Sequence, residues 1–285
     1  MIATIVINYH SEDRTISFVK EELSKIAADN VVVIVDNGST AESMEILSGA
    51  FGSSSPQRVF IIPSEENLGF ARGNNLGAGF ALNRFSPELL LLANNDIRLE
   101  SDDVVDRMAI KLLSLPEAAE IGPKVVGLDG KLQSPEPFKS FWKRHIWLYW
   151  SNLFLGSARK EKILDLDYAE KAKEGFHYKL SGCFFMVKSE EWTACGGMDP
   201  ATFLYSEEVI LSERLLRIGK KVYYYPEVSV IHEHGATTKK YYDKVAIREM
   251  ILQSDIYYYK EYIGTPSWQF AVARFTYAIK RLFHR

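Results

Sequence analysis

At 285 residues the chain can form one large α/β domain, or one domain with an appended segment. Hydrophobic residues make up 47% and charged residues 25%, which excludes a disordered chain and permits a well-packed core. The net charge of −3, with both signs interspersed, excludes a global nucleic-acid footprint, so no nucleic-acid partner is expected.

Two cysteines, Cys183 and Cys195, lack the spacing of a zinc ribbon. Met1-Ile2-Ala3-Thr4 runs straight into a strand rather than a signal peptide, so a reducing cytoplasm is expected. No uninterrupted apolar run reaches the ~18 residues that a membrane-spanning helix needs.

Short apolar runs at residues 4–7, 31–35, 59–62 and 89–92 are closed by polar turn residues and read as buried parallel strands. Helical stretches at 14–28, 41–49 and 70–83 separate them. This β-α-β-α-β-α-β order predicts a doubly wound sheet, with ligands beyond the carboxyl ends of the strands. Further on, strands are expected at 121–128, 179–187, 221–225 and 228–232, and a helix at 207–218. From residue 240 the tail reads as helical, with a break at Gly264-Thr265-Pro266. Residues 134–178 carry no assignable motif, and acceptor selection is assigned to them.

Five clusters carry candidate chemistry, and each admits a plainer reading. Asn94-Asn95-Asp96 ends a strand, where an aspartate suits a hard cation that grips phosphates, or simply caps a turn. Asp36-Asn37-Gly38-Ser39 offers an acceptor for a ribose hydroxyl or a base N–H, or a cap for the next helix. In Glu66-Asn67-Leu68-Gly69-Phe70-Ala71-Arg72-Gly73-Asn74-Asn75 the glycines permit close backbone approach and Arg72 can reach a phosphate, or the segment is a plain loop-to-helix transition. Glu207-Glu208 opens a helix, where two carboxylates complement the helix dipole or supply a general base. Adjacent like charges raise one pKa. His232-Glu233-His234-Gly235 leaves a strand, so His232 is a candidate metal ligand or an ordinary buried histidine.

Taken in order, these motifs resemble the family 2 glycosyltransferases. Ser181-Gly182-Cys183, Gly196-Gly197-Met198-Asp199 and Phe203-Leu204-Tyr205-Ser206-Glu207-Glu208 extend the resemblance over roughly residues 2–240. The branch is similar to bacterial rhamnosyltransferase-like enzymes of surface polysaccharide assembly. The resemblance implies a GT-A fold, an α/β architecture with a doubly wound, mostly parallel sheet. Residues 1–120 would form the nucleotide-sugar half, 121–240 the acceptor and catalytic half, and 241–285 a C-terminal helical segment. It implies an inverting transferase with a nucleotide-diphospho-sugar donor, dTDP-rhamnose first and UDP-hexoses as the alternative, and a glycan or lipid-linked glycan acceptor. Asn8, Tyr9, His10, Asp36, Asn67, Gly69, Arg72, Asn74 and Asn95 match nucleotide-side positions. Asp96 and His232 match the metal site for Mn2+ or Mg2+, Glu208 matches the catalytic base, and Glu207 is its substitute.

Three departures stand out. Only Asp96 is charged where the family's metal motif has two carboxylates. The base is Glu208 where an aspartate is usual. Ile210 replaces an acidic residue. Rival readings are a nucleotidyltransferase, which lacks its glycine-rich basic signature here, and a non-catalytic nucleotide-sugar-binding protein.

Two segments point to a surface. Residues 138–150 hold Trp142, Trp147 and Trp150 beside Lys139, Lys143 and Arg144. Residues 267–285 contain no acidic side chain and space Trp268, Val272, Phe275, Ile279 and Leu282 along one helical face. Either this face meets the inner side of a bacterial plasma membrane, or it packs in the core or in a homo-oligomer.

Overall fold

The computed structural model describes residues 1–52, 58–147, 167–233 and 243–283. Strands β1 (Ile2–Asn8), β2 (Asn30–Asn37), β3 (Val59–Ser64) and β4 (Leu89–Ala93) pair in parallel in the order β3-β2-β1-β4. Their interior is an almost unbroken aliphatic series, because a parallel sheet covered on both faces leaves no polar side. The sheet continues through β8 (Phe184–Lys188), antiparallel to both β4 and β6 (Ala118–Gly127), then β9 (Lys221–His232) and β5 (Ile97–Leu99). Strand β7 (Gly175–His177) pairs with β9.

One face is covered by α1 (Glu12–Ser17), α2 (Ala41–Ala50) and α4 (Val104–Leu113), around Val6, Ile34, Leu91 and Met108. The other is covered by α3 (Gly69–Phe85), α6 (Ser189–Cys195) and α7 (Glu207–Arg217), around Ile5, Val33, Leu92 and Leu211. The short helix α5 (Tyr168–Lys171) precedes β7. A third cluster joins Phe141 and Ile146, Val209 and Ile210 of α7, Tyr258 and Tyr259 of α8 (Lys244–Glu261), and Phe270 and Ala273 of α9 (Ser267–Phe283).

Several expectations shift. The helix expected over 14–28 is α1 followed by a wide turn at Phe18–Glu22 and a tight one at Leu23–Lys25. The strand expected from 179 starts at Phe184, since residues 179–183 form the loop feeding it. The two strands expected around Pro226 are one, β9, whose register against β6 slips between Pro123 and Lys124 and so accommodates a residue without an N–H. Strands β5 and β7 and helices α4 and α6 were not anticipated. Trp150, His234 and Arg285 lie outside the described residues.

Loops at the carboxyl ends are cross-tied. Asn75 of α3 donates to Met198 O (2.8 Å) and accepts from Met198 N (3.0 Å). Phe70 N donates to Phe203 O at 2.9 Å. Gly69, at φ +74°, leaves the room for this contact, because a Cβ there would fall 2.1 Å from Phe203 O. Gly69→Ala should therefore cost more than the ~1–2 kcal/mol of left-handed backbone alone. A urea titration should show the lowered midpoint, and an unchanged midpoint would refute the contact's importance.

Candidate active site

Strand β1 ends in a buried amide that organises the neighbouring strand ends. Asn8 Nδ2 donates to Asp36 Oδ1 (2.8 Å) and to Glu12 Oε1 (3.2 Å), and Thr15 Oγ1 donates to Asn8 Oδ1 (2.7 Å). Ser43 Oγ donates to Asp36 Oδ2 at 2.5 Å, so both carboxylate oxygens are engaged and Asp36 is 2% exposed. Ser43 also forms a reciprocal cap with Thr40, so helix capping and strand-end chemistry share residues. Tyr9 and His10 stack, with ring centroids 4.5 Å apart, and the Tyr9 ring covers Gly38.

The next loop is held by two asparagines. Asn37 accepts from Leu68 N (2.7 Å) and donates to Asn67 Oδ1 (3.0 Å), while Asn67 Oδ1 also accepts from Gly69 N (2.9 Å). Arg72 is exposed and bonds Leu68 O through Nε. Asn74 is buried and donates back to Phe70 O of its own helix, which makes it an internal brace. Asn95 Nδ2 donates to Ser11 Oγ (2.9 Å) and Thr15 Oγ1 (2.8 Å), which brings the 94–96 turn against the end of β1.

Pairing of β5 with β9 sets Ile97 opposite His232 and so juxtaposes Asp96 with His232. Asp96 Oδ1 lies 3.3 Å from His232 Nε2, yet it is buried and receives no aligned hydrogen bond. His232 Nδ1 faces Gln133 Oε1 at 2.7 Å, so Nδ1–H is the donor and Nε2 points to Asp96. An outer oxygen that fixes the ring tautomer is the usual support of a metal-binding histidine. The separation is close to the ~3 Å between neighbouring ligands on a six-coordinate cation. Burial lowers the His232 pKa, but contacts with Asp96 and Cys183 outweigh it and raise it to about 10. Among the described residues no cluster of three or more His, Cys, Asp and Glu is placed to hold a metal. Remaining ligands would have to come from diphosphate and water.

The turn at 181–183 links this pair to the acid pair. Asn94 N donates to Cys183 O at 2.8 Å, and the Cys183 thiol adjoins His232. A Cβ on the preceding residue, Gly182, would fall 2.4 Å from Glu208 Cγ, so the Glu208 side chain lies directly over it. Glu208 borders a cavity of about 110 Å³ with Glu136, Tyr178, Lys179, Tyr205 and Tyr258. Lys179 Nζ sits 2.8 Å from Glu136 Oε1. Burial alone would lower the Lys179 pKa, and the charges of Glu136 and Glu208 raise it instead.

Glu207 turns the other way. It is 2% exposed, Oε1 has no hydrogen bond, and burial reinforced by the Glu208 charge raises its pKa to about 8. The group raised by the like-charge pair is thus the buried neighbour. Glu120 of β6, which the sequence did not signal, is also raised to about 8 by burial and then by Glu208, with Oε2 unpartnered.

A family model described as glycosyltransferase like family 2 matches residues 1–251. The chain belongs to this family. Among similar proteins, a low-salt glycan biosynthesis hexosyltransferase, Agl10, of Haloferax volcanii is 23% identical over 233 residues, covering 81% of this chain and 66% of that protein. An N-acetylglucosaminyl-diphospho-decaprenol L-rhamnosyltransferase of Mycobacterium tuberculosis is 25% identical over 227 residues, covering 73% and 67%. The chain therefore spans about two thirds of the length of these relatives. A mannosyltransferase of Pyrobaculum calidifontis, solved with GDP-Man and Mn2+, superposes with a TM-score of 0.56 at 14% identity, over 99% of this chain and 75% of its own. GalNAc-T7, solved with UDP, GalNAc and Mn2+, gives 0.60 at 13% identity, over 91% and 47%. These likenesses establish the GT-A fold for this family 2 glycosyltransferase.

Of the residues singled out from sequence, Asn8, Asp36 and Asn95 meet around Ser11 and Thr15, and Asp96 meets His232. Asn67 and Gly69 serve the loop backbone. Gln133 and Lys179 were missed, because nothing in their local pattern marks a partner so distant in the chain, and Gly182 stood in a family motif without a role of its own.

The two raised carboxyls set a pH dependence. Glu120 and Glu207 bind protons more readily folded than unfolded, so their protonation favours the fold. Their contribution to stability should be fully present below the ordinary value of 4.5 and be lost as pH rises towards about 8. Glu207→Gln should flatten part of this fall in urea midpoints measured from pH 5 to 9. Superimposable profiles for the two proteins would disprove it.

Proposed function

We propose that this glycosyltransferase moves a sugar, with inversion, from a nucleotide diphosphate to a hydroxyl of a lipid-linked glycan, using Glu208 as general base. The observation that carries the reading is the 181–183 turn, where Gly182 underlies Glu208 and Cys183 contacts both Asn94 and His232. The first candidate donor is dTDP-rhamnose, in keeping with the mycobacterial relative's name. UDP-hexoses are the alternative, in keeping with the archaeal one.

The acceptor hydroxyl enters the cavity beside Glu208. Its oxygen forms the new bond to the anomeric carbon while its proton passes to a Glu208 carboxylate oxygen. The bond from the anomeric carbon to the diphosphate oxygen breaks, and the electron pair leaves with the nucleotide. The transition state is oxocarbenium-like. Glu208 rather than Glu207 suits the task, since Glu208 faces the cavity and Glu207 is sealed beneath it. Lys179 balances the carboxylates on the acceptor side.

A divalent cation, Mn2+ or Mg2+, would be held by Asp96 Oδ1 and His232 Nε2 and would neutralise charge on the departing diphosphate. The buried oxygen of Asp96, which meets only His232, and the oriented His232 ring fit an oxygen-and-nitrogen donor set, and the imidazole tilts the choice towards Mn2+. Asp36, with Tyr9 and His10, would face the nucleoside, and Arg72 the phosphates.

Calorimetry with dTDP-rhamnose, UDP-hexoses and GDP-mannose, with and without Mn2+, tests the reading. Binding should need Mn2+ and weaken at least ~10-fold in Asp96→Ala. Glu208→Gln should keep donor affinity and lose turnover by ~10²–10⁴-fold. A folded chain that binds none of these nucleotides would sink the proposal.

We further propose contact with the cytoplasmic face of an anionic membrane. Helix α9 buries Phe270, Ala273 and Thr276 but leaves Trp268 and Phe275 58% and 67% exposed, beside basic Arg274. Trp142, itself exposed, packs at a tilt against Trp268 with centroids 5.7 Å apart, and Trp147 is exposed nearby in sequence. Packing and an outward aromatic stripe thus coexist on one helix. Among the described residues, no helix is long and apolar enough to cross a membrane. The chain should float with phosphatidylglycerol vesicles and lose most of that binding in Trp268→Ala/Phe275→Ala. Equal binding by the double variant would reject the surface.

A further inference from the structure

The acid pair is delivered by a strained turn. Tyr205 and Ser206 both have positive φ, 76° and 67°, a conformation that costs a non-glycine residue roughly 1–2 kcal/mol. Such strain persists only where surrounding contacts over-determine it. Here the contacts come from two consecutive residues of α8. Ser254 Oγ donates to Leu204 O at 2.8 Å, and Asp255 Oδ1 accepts from Ser206 Oγ at 2.6 Å. Ser206 stands at the N-cap of α7, where its oxygen would ordinarily accept a first-turn N–H. It makes no such cap, since its left-handed backbone departs from the extended one that a capping residue adopts, and its hydroxyl donates to Asp255 instead.

Asp255 is a hub. It is 1% exposed, and Oδ2 also accepts from Arg144 Nε (2.6 Å) and His145 Nε2 (2.8 Å) in the turn at Trp142–Trp147. Burial pushes its pKa up, and the His145 hydrogen bond with the Arg144 charge outweighs this and holds it at about 2. One ionised carboxylate therefore fixes three donors from two separate segments. One of those donors immediately precedes Glu207-Glu208.

We infer that Asp255 is a positioning residue for Glu208, acting through the Ser206 hydroxyl. The inference rests on the reading of Glu208 as the base. A hub that merely holds α8 to the sheet would stabilise the chain without bearing on turnover. A hub that sets the direction of the first turn of α7 governs where the Glu208 carboxylate stands over Gly182, and so the alignment of base and acceptor. Misplacement by about 1 Å can cost ~10²-fold in rate.

The test uses the full chain with Mn2+ and dTDP-rhamnose, following dTDP release, donor affinity by calorimetry, and amide exchange at residues 204–208. Ser206→Ala removes one hydroxyl from a residue already in the same backbone conformation, so it avoids the buried, unpaired Arg144 that Asp255→Asn risks. Ser206→Ala should lower kcat ~10–100-fold, leave the donor KM near that of the parent, lower the thermal midpoint only by what one buried hydrogen bond contributes, and speed exchange at 204–208. Asp255→Asn combined with Ser206→Ala should be no slower than Asp255→Asn alone, since the two act along one path. Unchanged kcat in Ser206→Ala, or a kcat loss matched by weaker donor binding, would overturn the inference. Glu208→Gln is the reference arm, and parental turnover in that variant would refute the base itself. If the parent releases no dTDP, the exchange arm still decides, because unaltered exchange in Ser206→Ala rejects the positioning role.

Discussion

Gly182 has no side chain, and the volume a Cβ would fill is taken by Glu208. The contact is possible because β8 inserts antiparallel between β4 and β6, which carries the turn before it to the carboxyl end of β4. The next residue, Cys183, takes the Asn94 N–H on its carbonyl and sets its thiol beside His232. Two consecutive residues thus tie the Asp96–His232 pair to the acid pair, although the four segments involved come from residues 94–96, 181–183, 207–208 and 232.

Polar burial divides along the same line. At the ends of β1 and β2, Asn8, Asp36 and Ser43 bond to one another, and Asn37 and Asn67 form a second set that braces the 67–69 loop. Around the proposed reacting centre the pattern is the reverse. Glu120 Oε2 and Glu207 Oε1 are buried without hydrogen bonds, and Asp96 Oδ1 has only the ion pair with His232 at 3.3 Å. Uncompensated burial is costly, and it gathers around Glu208 and the Asp96–His232 pair.

The third cluster adds a helical layer to the sheet. Ile210 is fully buried against this layer, so its apolar character follows from packing of α7 on the C-terminal helices. The same layer carries the Asp255 hub and, on its outer side, the exposed rings of Trp142 and Trp268. Tyr257 and Tyr262 also reach from it to Asp199, at 2.8 and 2.5 Å, and so grip the loop that Asn75 holds from α3.

The parallel half of the sheet was legible in the sequence because aliphatic runs closed by polar turns are a local signature of buried strands, and the polar ends named the crevice. The motif order carried the family, and with it the pairing of Asp96 with His232. Tertiary structure alone decided the rest. Whether Glu207 or Glu208 meets the cavity depends on which side of α7 faces the 181–183 turn, a matter of helix rotation that two adjacent glutamates do not encode. Gly182, Gln133 and Asp255 act on residues 26, 99 and 49 positions away, and such partners come together only when the sheet closes. The tail's amphipathicity was legible, but not that Phe270 and Ala273 face inward while Trp268 and Phe275 remain outside, since a periodic pattern fixes a helix's faces and only the neighbouring surface fixes which of them is covered.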